Sequence, residues 1–258
     1  MEPLTIGVIV AACAFGGSVL GMSAAKVLPE HHLSDKSQDV IKVAMAMTAT
    51  MAALLISLMV SSAKSSFDDK DDALRQQAAR TIMLDRLLAL YGGPQAHDVR
   101  TALRTFTEDM LQTVWHEAAG SDAVEVDINS LRQRRFGIEL VQEQLFGLPA
   151  ESDKQRDLKA QAISISFDIA QGHWQLVEQL EGRLQWAFLA MVIFWLTIVF
   201  ISFGVFAPRN ASVIAALFVG AVSVGAAIYM IAELDSPYGG LITISSAPMH
   251  AALEQLGR

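Results

Sequence analysis

Four apolar runs, Leu4–Ala25, Val40–Ala63, Leu184–Ala207 and Ala211–Ala232, constrain this chain more than anything else in it. Each reaches the roughly 20 residues that an α-helix needs to cross about 30 Å of hydrocarbon. A bilayer offers no water to backbone N–H and C=O groups, so each run must close its own hydrogen bonds as a helix. The pattern predicts an all-α polytopic membrane protein. Helices 1 and 2 with a short loop occupy 1–63, a polar helical domain 64–183, helices 3 and 4 184–232, and a C-terminal segment 233–258. The first run carries Glu2 and no basic residue ahead of it, so it reads as a retained helix; a cleaved leader is the rival reading.

Charge sets the expected orientation. Residues 64–183 hold 14 of the 19 Lys and Arg, against two in the loop 26–39 and one in 208–210. Basic residues favour the cytoplasmic side. An even number of crossings then places both termini and the 64–183 domain in the cytoplasm. The same block holds 20 carboxylates, a net −6 that would concentrate cations near it. The whole-chain charge of −8 argues against a nucleic-acid partner. The lone Cys13 excludes an intrachain disulfide.

Neither Gly nor Pro occurs from Glu30 to Tyr91, which predicts one helix from about Gln38 to Tyr91, roughly 80 Å long. Four helices are expected in the polar block. The first faces inward with Ala79, Met83, Leu87 and Leu90, and the second with Val99, Leu103, Phe106, Met110 and Val114. The third uses Ile138, Val141, Leu145 and Leu148, after a polar loop at 120–127. The fourth carries two stripes: Leu158, Ala162, Ile165, Ile169, Leu176 and Leu180, and Ile163, Phe167, Ala170, Trp174 and Val177. A helix apolar on two faces wants neighbours on both. A short extended piece, Leu241–Ile244, and a last helix capped by Ser246 complete the chain.

The second apolar run has no aromatic residue. Asp39, Ala46, Thr50, Ser57, Ser61 and Lys64 fall within about 60° on its wheel. Beside them lie Met47, Met51, Leu54 and Leu58. Hydroxyls toward water and a narrow apolar ring suit a pore-lining helix. Small and hydroxyl residues equally let helices pack closely in lipid. Cys13, Gly17, Gly21 and Ala25 in the first run, and Ser212, Ala216, Gly220, Ala221 and Gly225 in the fourth, read as helix contacts. The third is bulky, with Phe188, Phe194, Phe200, Phe203 and Phe206, and suits lipid.

No run carries a mid-membrane charge, which lowers an ion-coupled carrier. Asp68, Asp69, Asp71 and Asp72, with Glu233 and Asp235, are the acidic candidates near the cytoplasmic surface. They attract cations, or they are solvated helix faces and caps; they lack the glycine and ligand spacing of a calcium loop. His31 and His32 are a weak metal pair. His97, His116 and His173 share no ligand spacing and read as surface or satisfied core residues. No nucleotide, metalloprotease or serine-hydrolase motif occurs, so neither enzyme activity nor a cofactor is expected.

Several short motifs point further. They are Leu28-Pro29-Glu30-His31-His32-Leu33-Ser34, Ser62-Ala63-Lys64-Ser65-Ser66-Phe67-Asp68, and Leu84-Asp85-Arg86 running to Tyr91-Gly92. Glu233-Leu234-Asp235-Ser236-Pro237-Tyr238 and Ile244-Ser245-Ser246-Ala247-Pro248 follow near the C-terminus. Together they resemble the bestrophin-like domain family of bacterial membrane proteins over nearly the whole chain. The resemblance implies a homo-oligomeric channel, most simply a pentamer, in the bacterial inner membrane. It implies four membrane helices per subunit and a cytosolic helical domain. Its partners would be lipid, copies of itself and permeating ions. It also implies a narrow neck of bulky apolar residues on the second helix, where bestrophins place aromatics. Met47, Met51, Leu54, Leu55 and Leu58 are the residues at hand. A membrane scaffold or sensor that binds a partner through its helical domain is the competing expectation.

Overall fold

The structure is a computed structural model and describes residues 2–27, 35–116, 137–180, 186–236, 238 and 240–257. The whole Leu28–Ser34 motif with His31 and His32, and the polar loop at 120–127, lie outside these, as do the side chains of His116, Leu176, Val177 and Leu180. The described residues form α1 (Pro3–Ala24), α2 (Asp35–Tyr91), α3 (Pro94–Leu111) with a π-helical turn at Gln112–His116, α4 (Ile138–Gly147) and α5 (Asp153–Leu180). Then come α6 (Trp186–Phe206), α7 (Ala211–Asp235) and α8 (Ala247–Gln255). No strand occurs among the described residues, and Leu241–Ile244 pairs into no sheet. Four helices, α1, α2, α6 and α7, are long and apolar enough to cross a membrane.

The chain divides into two compact units, Met1–Ser66 with Arg183–Asp235, and Phe67–Gly182 with Ser236–Arg258. In the first, α1 is the centre. Its buried side runs Ile6, Gly7, Val10, Ala14, Gly17, Ser18, Gly21 and Met22. Cβ atoms added at Gly21 and Gly204 would strike the carbonyl oxygens of Ile201 and Ser18, so α1 and α6 touch backbone to backbone. Gly7 and Gly225 do the same for α1 and α7. Gly17 lies against Thr197 and Gly21 against Ile201, so α1 and α6 run parallel. Gly7 lies against Gly225 and Phe15 against Phe218, so α7 runs back. Asn210 Oδ1 caps α7 at the Val213 N–H, 2.8 Å away, and Arg209 donates to the Met22 carbonyl at the end of α1. The expected contact stripes shift slightly. Cys13, Ser212 and Ala216 are exposed, while Ala221 and Gly225 are the contact residues of α7.

The second unit is a helical domain around one core. Leu74, Leu84 and Leu88 of α2 meet Val99, Leu103, Phe106 and Met110 of α3, with Ile138, Val141 and Leu145 of α4 and Ala162 and Ile169 of α5. The expected inward face of α2 is corrected here. Ala79, Met83 and Leu90 are exposed, and the buried face is Leu74, Ala78, Thr81, Leu84, Asp85 and Leu88. Polar Thr81 and Asp85 occupy that face because partners satisfy them: Thr81 donates to the Gln77 carbonyl, and Asp85 binds Arg100. Hydrophobic periodicity counts only apolar positions, so it selected the wrong side.

The α2–α3 turn uses Gly92 and Gly93 at φ +74° and +87°, backbone values that suit glycine, and Pro94 opens α3. Ser152 and Gln155 form a reciprocal cap at the start of α5. Lys159 donates to the Phe146 carbonyl in the last turn of α4, at 2.9 Å, and to the Leu148 carbonyl just past it, at 2.7 Å. The C-terminal segment belongs to this core through Tyr238, Ile244, Met249, Ala252 and Leu256. Ser246 does not cap α8 with its side chain; the Ser245 hydroxyl accepts the Ala247 N–H instead.

Candidate functional site

α2 is the least covered of the four long apolar helices. Only 6% of its apolar window is buried, against 39%, 33% and 17% for α1, α6 and α7. Its packing side is Ala52, fully buried, flanked by Leu55, Ile56, Met59 and Ala63 against the helices of the first unit. At 100° per residue, Thr50, Ser57 and Ser61 point about 140–180° away from Ala52. All three hydroxyls are exposed. So are Met47, Met51, Leu54 and Leu58 beside them. The structure therefore leaves both stripes of α2 uncovered within one chain. Thr50 Oγ1 donates to the Ala46 carbonyl at 2.8 Å, so its proton is spent on the helix and its lone pairs face outward as acceptors.

The acidic residues do not gather into one pocket. Asp68, Asp69 and Asp72 are exposed on α2, and Asp71 binds Arg75 one turn on, at 2.9 Å. Lys70 between them is buried. In the first unit Glu233 is buried near the end of α7, paired with the Tyr229 hydroxyl one turn earlier, and Asp235 is half-buried. Among the described residues, no cluster of three or more His, Cys, Asp or Glu side chains is arranged to hold a metal.

Three polar groups in the helical unit have contacts that the sequence reading did not assign. Arg100 makes a two-pronged bond to Asp85, which holds its guanidinium above the usual range. The two positions are nearly equidistant from the Gly92–Gly93 turn, a symmetry that places them side by side in a helical hairpin and was visible in the sequence. Tyr238 packs edge-on against Trp115, 5.9 Å between ring centres, and burial, helped by the Asp71 charge, pushes its phenol up. His173 is half-buried, and its Nδ1 meets no hydrogen-bond partner among the described residues. His97 is exposed.

A family model for the bestrophin-like domain matches residues 12–249, a stretch that holds all four long apolar helices but for the start of α1. The chain belongs to the bestrophin-like domain family. No curated protein and no solved structure matches it. The bestrophin-like match runs through α2 and its two uncovered stripes, and through the helical unit as far as Met249 in α8.

Proposed function

We propose that this chain is one subunit of an oligomeric ion channel in a bacterial inner membrane, with α2 facing the conduction axis. The observation that carries the reading is the uncovered double stripe of α2: Thr50, Ser57 and Ser61 beside Met47, Met51, Leu54 and Leu58. A single chain has no use for a hydroxyl stripe opposite its packing side, whereas copies around an axis would turn it toward water. The bulky stripe would form an apolar ring that blocks ions by dewetting. Family membership supports a channel-type protein and, by resemblance, a pentamer.

In this reading the helical unit lies in the cytoplasm with both termini. The net −6 of residues 64–183, and the outward acceptor of Thr50, favour cations. Asp68, Asp69 and Asp72 would line the approach, and Glu233 and Asp235 would stay with the membrane unit. The chain performs no catalysis, needs no cofactor, and takes lipid, its own copies and ions as partners.

The deciding measurement is the mass of the detergent-solubilised complex by light scattering, corrected for bound detergent. About five times 27.9 kDa supports the ring and justifies bilayer recording under cation and anion gradients. A monomer or dimer across several mild detergents removes the central axis. It would favour the second reading, a scaffold or sensor. That reading rests on Phe146, Phe167 and Trp174, exposed aromatics on α4 and α5 with the first two rings in contact.

A further inference from the structure

His173 lies on α5 against α3 and α4. Its ring meets Phe106 of α3 edge to face, 5.7 Å between centres, and Trp174 at 5.8 Å. Phe106 is itself wedged, since a methyl group on Gly137, just before α4, would collide with its ring. From α2, Gln77 Nε2 donates to the Ile169 carbonyl at 3.0 Å and Arg80 Nη1 to the Asp168 carbonyl at 3.4 Å, holding α5 from the other side. Gly172 leaves the space that Gln77 enters. Among the described residues, the Glu139 carboxylate of α4 acts on the His173 ring, Arg80 of α2 reaches the Asp168 carbonyl, and α3 presents the apolar Phe106.

His173 Nδ1 is sealed from solvent with no acceptor among the described residues. A neutral imidazole with its proton on Nε2 leaves only a lone pair at Nδ1, which costs little in an apolar contact. An imidazolium would put an N–H there with nothing to receive it. We propose that His173 is an acid-sensitive latch of the helical unit: neutral, it holds α5 on Phe106, and a proton taken up at Nδ1 when that contact opens keeps it from closing again. This is independent of whether the chain conducts.

Burial holds the imidazole below its ordinary value, and the Glu139 carboxylate only partly offsets it. The folded protein therefore binds this proton less readily than the unfolded chain. The latch's contribution is complete above the unfolded pKa of about 6.5 and is lost as pH falls below it toward the lowered folded value.

The test is hydrogen–deuterium exchange on the purified full chain in detergent at pH 7.5 and 5.0, corrected for intrinsic exchange. In the wild type, peptides covering 162–175 and 99–110 are expected to exchange faster at pH 5.0, by about tenfold for each unit of pKa depression. His173→Phe, which keeps a ring in the slot, and His173→Gln, which stays neutral, should both lack that acid response. Glu139→Gln should enlarge it. Wild-type protection that does not change with pH, or an equal acid response in either His173 variant, overturns the latch. Should His173→Phe misfold, His173→Gln carries the same comparison.

Discussion

Asp85 of α2 and Arg100 of α3 face each other in a two-pronged ion pair, Nε to Oδ1 at 2.7 Å and Nη2 to Oδ2 at 3.0 Å, with the Asp85 side chain only 1% exposed. This pair closes the helical hairpin beneath the Gly92–Gly93 turn. Removing Asp85 takes the two-pronged partner from a guanidinium only 14% exposed, which costs more than the pair itself contributes. Asp85→Ala should lower stability by about 3–5 kcal/mol, read as a fall in the thermal midpoint in detergent. The double variant Asp85→Leu/Arg100→Met should recover most of that loss. An Asp85→Ala midpoint equal to wild type would show that the pair is solvated.

Gly21 and Gly204 allow α1 and α6 to approach backbone to backbone. Gly204→Val should prevent that approach and remove the monodisperse peak in size-exclusion chromatography. Gly16, one position off the contact stripe, has nothing within 4 Å of an added methyl. Gly16→Ala should keep the peak and gain up to about 1 kcal/mol of helix stability. Equal behaviour of the two variants would remove the close-contact account.

Leu54 and Met51 stand exposed on the bulky stripe of α2. If that stripe is the constriction, Leu54→Ala or Met51→Ala should raise ion leak from reconstituted liposomes several-fold. Val8→Ala, exposed on α1, should leave leak unchanged. Flux unaltered by both α2 substitutions would count against this gate.

Tyr238 is buried, its hydroxyl without a hydrogen-bond partner among the described residues. Its raised pKa means the folded protein resists losing this proton. The associated stability is therefore full below the unfolded value of about 10 and is lost as pH rises above it toward the raised folded value. Tyr238→Phe should flatten that alkaline loss. At neutral pH it should be neutral or stabilising by up to about 1 kcal/mol, since it removes an unsatisfied buried hydroxyl. Alkaline thermal melts of the two proteins make the comparison. A steep loss of neutral-pH stability in the variant would mean the hydroxyl does have a partner.

The four long apolar helices and the length of α2 were legible in the sequence, because twenty apolar residues and an absence of breakers are local facts. The cores of α3 and α4 were legible too, since Val99, Leu103, Phe106 and Ile138, Val141, Leu145 alternate cleanly with polar positions. α2 past the membrane-length run was not. It is apolar on one side at Met83 and Leu90 and on the other at Leu84 and Leu88. The choice between them rests on Arg100, fifteen residues away, which makes a buried Asp85 affordable.

The sequence by itself determined which segments are helical, which are long and apolar enough for a bilayer, and that α2 carries hydroxyl and bulky stripes side by side. These properties follow from periodicity and composition along a single segment. Only the tertiary structure decided which side of each helix is covered: that Ala52 turns inward and leaves Thr50, Ser57 and Ser61 outside, that 236–258 joins the helical core, and that His173 is sealed against Phe106. Burial depends on partners distant in the chain, and the pattern within one helix does not contain them.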